Sequence, residues 1–476
     1  MKRFSMSATT ANPRLSELRQ PSGFHSERRE NSIITKAIVG IIKRSSMNKR
    51  TTLAFLLTSA LFLSASSAED QAKKQITVWS WFISSTMAKS IKAFEEKNPG
   101  LEVKYTYYNY SPEYITSLKA AAASNSLPDI IGLQPGSLTQ QYREQLAALN
   151  SHAEKEWGAD WQSKIFPVNL KQMGMGNPSG DTNFYILPQE SQILVIWYNK
   201  EIFKKLNLEV PKTYKDLVAA SKKLTSAGYI PVYQGAADGW QNENVFLMLA
   251  NQLAPGLVDE AQNGKSPWAS PPLVKAMHAW ANLFKDGVFQ QGALGAHAYP
   301  TGAQLFAQGR VGMMALGSWW MQESKFPPPL SQYVQNMSGF DFFYFPALEE
   351  NGKSSPPVGG IDIGYGMTKN GEKNPEAWKF LASLVRSDGL QQALNDLNDL
   401  PATSDFEPQG DVTPNIKEMY GRFMADLPHA ENQRFLSPQV SEELDSVLGG
   451  VAAGSVTPED GLKRVQAATD KALGKN

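Results

Sequence analysis

The stretch from Phe184 to Leu206 constrains the fold more than any other part of the chain. Two apolar runs, Phe184 to Leu187 and Ile193 to Tyr198, are separated by the polar residues Pro188 to Gln192. Short apolar runs of this kind are typical of buried strands. The joint between them carries an acid, an alcohol and two amides, and such groups must face a ligand, a partner or water. We therefore expect two core strands that meet at a polar joint. An ordinary solvated bend is the alternative.

Strand and helix patterns alternate in the segment before this stretch. Gln75 to Phe82 alternates and is rich in β-branched and aromatic residues, as is typical of a strand. Ser84 opens a helical pattern that Asn98-Pro99-Gly100 ends. Leu101 to Tyr107 and Pro128 to Ile131 are further predicted strands. This order predicts an α/β fold with a largely parallel sheet.

Polar and aromatic residues follow two of these strands. In parallel sheets, ligands bind beyond the carboxyl ends of the strands. Trp81 and Ser84 lie at one such end, and Leu133 and Gln134 lie at another. Both loops are therefore candidate walls of a binding cleft.

Two later segments combine tryptophan with polar neighbours. The predicted loop Gln234 to Asn244 contains Asp238 and Trp240, a combination that suits the face of a sugar. A tryptophan that anchors the start of a helix is the alternative there. Trp319 and Trp320 follow the predicted strand Val311 to Leu316. Neighbouring side chains on extended backbone point to opposite faces, so at least one of the two should line an opening.

Length and composition limit the classes of protein that need to be considered. A chain of 476 residues is too long for one typical core and predicts two or three domains or lobes. It has no cysteine, which excludes disulfides, thiolate nucleophiles, iron–sulfur clusters and zinc ribbons. With 42% hydrophobic and 19% charged residues, the composition is that of a soluble globular protein.

The N-terminal part has the pattern of an export signal. Residues 47–68 contain a basic start, an apolar run from Leu53 to Leu63 and small residues that end at Ala68. The apolar run is about half as long as a spanning helix requires. We therefore expect a signal peptide, a mature chain that begins at Glu69 and a periplasmic location. Residues 1–46 are polar and basic, and we interpret them as an extension before the true start at Met47.

The predicted mature chain is acidic. Residues 1–68 hold eleven basic and three acidic residues, which leaves 35 basic and 43 acidic residues and a net charge of −8. An acidic surface disfavours nucleic acid and anionic lipid as partners. We therefore predict no nucleic-acid partner.

No motif of catalysis or metal binding is complete in the sequence. It contains no Gly-x-Ser-x-Gly, no His-Glu-x-x-His and no pair of histidines at metal-binding spacing. We therefore predict no catalytic residue, no metal and no cofactor. A glycoside hydrolase needs two carboxylates across a cleft, and Glu190, Asp238 and Asp362 are conceivable members. Each of them lies among amides and aromatics, which suits hydrogen bonding to hydroxyls without bond breaking.

Eight short segments, in order along residues 75–402, together resemble a known family. They are Phe94 to Val103, Leu127 to Ile130, Trp197 to Phe203, Pro211 to Tyr214, Gly228 to Pro231, Gly317 to Trp319, Gly359-Gly360 and Leu400 to Ala402. The chain thereby resembles the bacterial extracellular solute-binding proteins of family 1, the maltose-binding-protein-like carriers of ABC importers.

The resemblance implies two α/β lobes, each a mostly parallel sheet flanked by helices, with a carbohydrate closed between them. It implies three crossings between the lobes, near Ile186 to Gln189, Val311 to Gly317 and Pro357 to Asp362. The first lobe would then comprise residues 69–186 and 317–357. The second would comprise residues 189–311 and 362–476.

The resemblance also suggests roles for individual residues. Glu190 matches a position that bonds sugar hydroxyls, and Trp319 matches an aromatic that stacks on a sugar ring, while the match of Trp240 is loose. Maltose-type relatives have an aromatic and an acid where this chain has Leu133 and Gln134, which argues against a maltodextrin ligand. The predicted binding residues are Trp81, Ser84, Gln134, Glu190, Asp238, Trp240, Trp319, Gly360 and Asp362.

These observations predict a periplasmic binding protein rather than an enzyme. It would capture a neutral sugar or short oligosaccharide as a monomer and deliver it to the permease subunits of an ABC importer. A secreted glycan-cleaving enzyme and a surface adhesion module are the alternatives from other classes.

Overall fold

The structure, a computed structural model, describes residues 73–324, 334, 337–409 and 412–475. They all belong to one compact unit of the chain, residues 72–476. The predicted extension and signal peptide, and a loop predicted at residues 327–329, lie outside the described residues. No helix in the described ranges is long and apolar enough to span a bilayer.

The strands are numbered β1 to β10 in chain order. Their bounds are β1 Lys74–Ser80, β2 Leu101–Tyr107, β3 Ile130–Leu133, β4 Leu187–Asn199, β5 Ile230–Tyr233, β6 Val311–Gly317, β7 Phe340–Phe343, β8 Val358–Met367, β9 Leu400–Pro401 and β10 Glu431–Asn432.

The α-helices are numbered α1 to α16, and shorter helical turns, among them Tyr110–Tyr114, Ala298–Gly302 and Ser318–Ser324, join several elements. The helices are α1 Ser84–Lys97, α2 Ile115–Ala123, α3 Ser137–Tyr142, α4 Asn150–Trp157, α5 Pro167–Met173, α6 Lys200–Lys205, α7 Tyr214–Ser226, α8 Gly239–Leu253, α9 Leu257–Gln262, α10 Pro271–Lys285, α11 Ala303–Ala307, α12 Ala377–Arg386, α13 Asp388–Leu397, α14 Pro414–Asp426, α15 Pro438–Ala452 and α16 Pro458–Ala472.

The strands form one mixed sheet in the order β2-β1-β3-β8-β4-β6-β5, to which β7, β9 and β10 are added at β4 and β8. The pairs β1-β2, β1-β3, β5-β6 and β8-β10 are parallel. The central strands β4 and β8 run antiparallel to each other. Strand β4 is also antiparallel to β6, and β8 is antiparallel to β3. The α/β prediction is confirmed, but the sheet is mixed because β8 runs antiparallel to β3 and β4 runs antiparallel to β6.

Strand β4 is continuous, so the predicted break at Pro188 to Gln192 is wrong. The residue pairing between β4 and β8 shifts on both sides of Glu190, as it does at a β-bulge. The strand continues through this irregularity. The polar side chains find partners inside the protein. The Gln189 amide donates to the Leu384 carbonyl at 3.0 Å, and Ser191 accepts from the Asn169 amide at 2.7 Å. With these bonds the strand continues through the core.

Apolar cores lie on either side of the middle of β4 and define two lobes. In the first lobe, β1, β2, β3 and α1 pack with Leu187 of β4 and with Ile363 and Tyr365 of β8. In the second lobe, β5, β6, β7 and α10 pack with Ile196 of β4 and with Val358 of β8. Both long strands therefore pass from one lobe to the other, as expected for two of the three crossings.

The third crossing is not where the sequence resemblance placed it. All seven residues of β6 are buried, and its apolar side chains pack in the cores of the second lobe, because β6 pairs with both β4 and β5. The chain leaves the first lobe later, between Leu397, which packs in the first lobe, and Leu400, which packs in the second. Strand β7 and its flanks therefore pack in the second lobe, whereas α12 and α13 pack in the first. These placements differ from the predicted lobe boundaries.

Local sequence patterns account for parts of two helices. The side chain of Thr213 accepts from the Asp216 amide at 3.2 Å, and the Asp216 carboxylate accepts from the Thr213 amide at 2.9 Å, which forms a capping box at the start of α7. Met277 and Trp280 of α10 are fully buried, as their helical spacing indicates.

The two adjacent tryptophans have different environments. Trp320 is fully buried and packs on Phe306 and Phe340 at ring-centroid distances of 5.1 and 5.9 Å. Trp319 is only half-buried. The backbone forms a helical turn here rather than a strand, but the predicted division between an inward and an outward side chain holds.

We predict that Trp320→Ala destabilises the second lobe by about 3 to 5 kcal/mol, because it removes a fully buried indole and leaves a cavity. Urea unfolding of the purified protein measures this loss. Trp319→Ala is the matched control and should cost much less. Equal losses of stability in the two variants would contradict the assignment.

Candidate functional site

The candidate site lies where β4 and β8 cross between the lobes. Glu190, Ser191 and Gln192 occupy the middle of β4, and Asp362 lies on the neighbouring strand β8. Glu190 is 1% exposed. A run of buried polar residues in a central strand is costly unless it is paired or serves a ligand. The crossing is therefore the candidate binding site.

Two carboxyl groups meet beneath the crossing. Asp399, which precedes β9, is fully buried and accepts from the Leu400 amide at 2.9 Å and from the side chain of Gln322. Burial raises the pKa of Glu190 well above its usual range, and the charge of Asp399 adds to this effect. Burial likewise raises the pKa of Asp399 to about 6. At neutral pH the pair therefore retains a proton and can donate a hydrogen bond.

Asp362, Gln192 and Arg434 form a polar group beside this pair. With its amide oriented so that both ends find partners, Gln192 donates to Asp362 at 3.2 Å and accepts from Arg434 at 2.9 Å. Arg434 also donates to the carbonyl oxygen of Ile361. Burial and the charge of Asp399 raise the pKa of Asp362 to about 7, although Arg434 opposes the shift. One guanidinium thus lies among several carboxyl groups.

The two lobes face each other around Arg434. Tyr110 of the first lobe donates to the Gln134 side chain at 2.7 Å. Burial raises the pKa of Tyr110 to about 12, and this hydroxyl lies within the fields of Arg434, Glu243 and Asp362. The amide of Ser137 in the first lobe donates to the carbonyl of Phe435 in the second at 2.8 Å. The structure therefore has the lobes in contact over the site.

Glu243 adds another buried acid on the second lobe. It lies in α8 and accepts from the Ser441 hydroxyl at 2.6 Å. Burial raises its pKa to about 8, with the charge of Asp445 in the same direction. Because these buried carboxyl groups keep protons, they act at the site mainly as hydrogen-bond donors and acceptors.

Aromatic residues line the second-lobe side. The rings of Trp240 and Trp319 lie edge to face with centroids 6.0 Å apart, and the rings of Trp240 and Tyr299 are 6.5 Å apart. The indole nitrogen of Trp319 donates to the hydroxyl of Tyr299 at 3.1 Å. Because α8 begins at Gly239, earlier than the sequence predicts, Trp240 stands in its first turn rather than in a loop.

Trp81 belongs to the first-lobe side. Its ring meets those of Tyr110 and Tyr114 edge to face, with centroids 4.8 and 5.5 Å apart. Since Tyr110 bonds Gln134, the two predicted loops after β1 and β3 are joined at this point. Aromatic rings therefore occur in both lobes.

Three predicted site residues have other surroundings. The carboxylate of Asp238 accepts from the Ala298 amide at 2.7 Å and lies 2.7 Å from the His297 ring nitrogen, so it holds the loop that carries Tyr299. Gly360 has a φ of +131°, and a Cβ there would come within 2.1 Å of the Gln172 amide, so it meets a close-packed side chain. Ser84 is exposed at the first residue of α1.

Sequence reasoning missed several residues of this site. They are Tyr110, Glu243, Tyr299, Glu323, Asp399 and Arg434. Arg434 ends the polar run Glu431 to Arg434, which in sequence resembles an exposed loop, so no local signal distinguishes it. Asp399 precedes the Leu400 to Ala402 segment, which the family resemblance had already singled out.

The described part of the chain has no group of three or more His, Asp or Glu side chains arranged to hold a metal ion. These residues instead bring together aromatic rings, amide groups and protonated carboxyl groups. Such groups bind hydroxyls and the apolar faces of sugar rings.

Comparisons with known proteins give a consistent result. The family model described as bacterial extracellular solute-binding protein matches residues 83–390. A multiple sugar-binding protein of Streptococcus mutans is 23% identical over 353 residues, which is 71% of this chain and 78% of that protein. The sn-glycerol-3-phosphate-binding periplasmic protein UgpB of Brucella melitensis is 26% identical over 315 residues, 60% of this chain and 68% of that protein.

A solved structure shares the fold. A chitin oligosaccharide binding protein superposes with a TM-score of 0.68 at 23% identity, over 84% of this chain and 99% of that one. The two-lobed α/β architecture with strands that cross between the lobes is therefore that of known binding proteins. With a family model that covers well over half of its length, this chain belongs to the bacterial extracellular solute-binding proteins.

Proposed function

We propose that the cleft between the lobes binds a neutral sugar or short oligosaccharide. The observation that carries the proposal is the arrangement of Trp319, Trp240 and Tyr299 beside the carboxyl and amide groups of the crossing. A sugar ring presents C–H groups that stack on an indole face, while its hydroxyls point outward to polar partners. Glu190, Asp362 and Gln134 supply such partners.

The engagement of Arg434 with protein groups favours a neutral ligand over a phosphorylated one. UgpB is named for sn-glycerol 3-phosphate, and an anion of that kind requires basic groups. In this chain Arg434 already donates to Ile361 and Gln192, and it stands among Asp362 and Glu243. A phosphate would have to compete with these partners for the guanidinium, whereas sugar hydroxyls can bond the protonated carboxyl groups directly.

Binding would proceed by closure. A ligand between the lobes contacts both of them only when they are closed, so it favours that state. The crossings at β4, β8 and β9 are where the lobes would hinge. The contact between Ser137 and Phe435 would form on closure and retain the ligand until release.

We further propose that the protein works in the periplasm as a monomer and delivers the sugar to the permease subunits of an ABC importer. Its role is capture rather than cleavage. This proposal follows from the family and from the predicted signal peptide. A glycan-cleaving enzyme is the alternative, and the first experiment below distinguishes it from a carrier.

We predict one-to-one binding of at least one neutral saccharide without turnover. The protein lacking residues 1–68 is titrated by calorimetry with glucose, maltotriose, xylotriose, chitotriose and sn-glycerol 3-phosphate. A saccharide should bind with about micromolar affinity and the phosphate should not bind. Release of reducing ends during the incubation would overturn the carrier function, and binding of the phosphate alone would overturn the ligand class.

We predict that Trp319→Ala weakens saccharide binding roughly thirtyfold or more, since truncation of a central aromatic commonly costs about 2 kcal/mol. Trp320→Ala is the matched control, because its ring is buried in the lobe core and should affect stability instead. Wild-type affinity in Trp319→Ala, together with a lowered melting temperature, would end the stacking proposal.

We predict that the carboxyl groups of the crossing make the unliganded protein less stable as pH rises from about 4 to about 8. An unfolded aspartate ionises near pH 4, whereas burial holds the pKa of Asp399 near 6 and that of Asp362 near 7. Below pH 4 both states are protonated and nothing is lost. Above it the unfolded state ionises first, so stability falls until the folded groups ionise too.

Unfolding free energies of wild type and Asp362→Asn at pH 5 and pH 8 test this effect. The wild type should lose more stability between the two values than the variant does. Asp160→Asn, at an exposed position, is the control and should behave like wild type. An equal pH dependence in wild type and Asp362→Asn would contradict the prediction.

A further inference from the structure

The ring of Trp319 is held from below by the end of strand β6. A Cβ placed on Gly317 would lie 2.0 Å from the Trp319 ring, so the indole rests directly on the main chain of that glycine. The carbonyl of Gly317 in turn accepts from the Trp197 indole nitrogen at 2.8 Å, deep in the second lobe. The benzo part of the Trp319 ring is therefore packed against fixed backbone.

The edge of the same ring is held by a hydrogen bond. The Trp319 indole nitrogen donates to the Tyr299 hydroxyl at 3.1 Å. The carboxyl group of Glu323 is a close neighbour of the same hydroxyl and interacts with it. Glu323 lies in the same helical turn as Trp319, Ser318–Ser324, so Tyr299 bridges two residues of one short segment.

Glu323 is a buried neighbour of the Tyr299 hydroxyl. It is 1% exposed, and burial raises its pKa to about 8, so the group is mostly uncharged at neutral pH and still presents an acceptor oxygen. Tyr299 itself is carried by a loop that Asp238 fixes through the Ala298 amide at 2.7 Å. Tyr299 is therefore held on one side by the Asp238 contact to its loop and on the other by Glu323.

We propose that Tyr299, held by Glu323, is a positioning residue that fixes the plane of the Trp319 ring for ligand stacking. The proposal rests on the proposed function for the role of the ring in binding, but the positioning itself is a property of the unliganded protein. A ring that is already oriented loses less conformational freedom when a ligand binds, which increases affinity without a new contact. Tyr299 need not touch the ligand to have this effect.

The test observes the Trp319 ring directly. The protein lacking residues 1–68 is labelled with 5-fluorotryptophan, and its fluorine NMR resonance for Trp319 is assigned with Trp319→Phe. Tyr299→Phe keeps the phenyl ring and removes the hydroxyl that accepts from the Trp319 indole. The Trp319 resonance should then shift and broaden in the unliganded protein.

Two further comparisons separate positioning from general damage. Tyr344→Phe removes another tyrosine–carboxylate bond in the second lobe, to Asp426 at 2.5 Å, and should leave the Trp319 resonance in place. Glu323→Leu should perturb the resonance, and Glu323→Gln, which restores an acceptor for Tyr299, should perturb it less. An unchanged Trp319 resonance in Tyr299→Phe overturns the inference.

Affinity is measured on the same variants with maltotriose, xylotriose and chitotriose. A loss of about three- to tenfold in Tyr299→Phe, together with the changed resonance, supports positioning for binding. A changed resonance with wild-type affinity overturns the role of Trp319 in the proposed function and leaves the hydrogen bond between Trp319 and Tyr299 established. A loss of affinity with an unchanged resonance means that Tyr299 acts by another route and overturns the inference.

Discussion

The burial of Gln189 to Gln192 inside a continuous β4 is the constraint on which the rest of the structure depends. A strand with four buried polar residues is stable only where other elements supply partners. Those partners come from both lobes, since the Leu384 carbonyl of the first lobe accepts from Gln189 and Arg434 of the second lobe donates to Gln192. The connection between the lobes and the polar lining of the cleft are therefore the same set of interactions.

This arrangement also explains how several carboxyl groups can share one site. Carboxyl groups that are removed from water keep their protons to higher pH, and Glu190, Asp362 and Glu243 all do so. A protonated carboxyl both donates and accepts, as a sugar hydroxyl does. An acidic sequence composition at the crossing therefore produces a lining that is close to neutral in the folded protein. Counting charges along the sequence overstates the negative potential that a bound ligand would meet.

The sequence predicted most of the secondary structure because local patterns decide it. The alternation in Leu101 to Tyr107 and the capping residues Thr213 and Asp216 specify their elements without help from distant parts. The polar joint in β4 was read as a break because its partners, such as Asn169, are remote in sequence. The third crossing was misplaced for the same reason, since pairing of β6 with β5 is a tertiary property. Arg434 and Tyr299 reach the site through long-range packing that no local pattern encodes.

Trp319 and Trp320 show that the surroundings of a side chain decide whether it can take part in a binding site. Adjacent indoles on one helical turn have the same intrinsic chemistry, yet one is fully buried among phenylalanines and the other lies on the backbone of Gly317. A larger residue at position 317 would occupy the place of the ring, so the glycine is a requirement of the site rather than of the strand. The tight contact packs the indole against the main chain of the strand. Because the rings of Trp240 and Trp319 also lie edge to face, the aromatic surface that a sugar ring would meet is assembled before any ligand arrives.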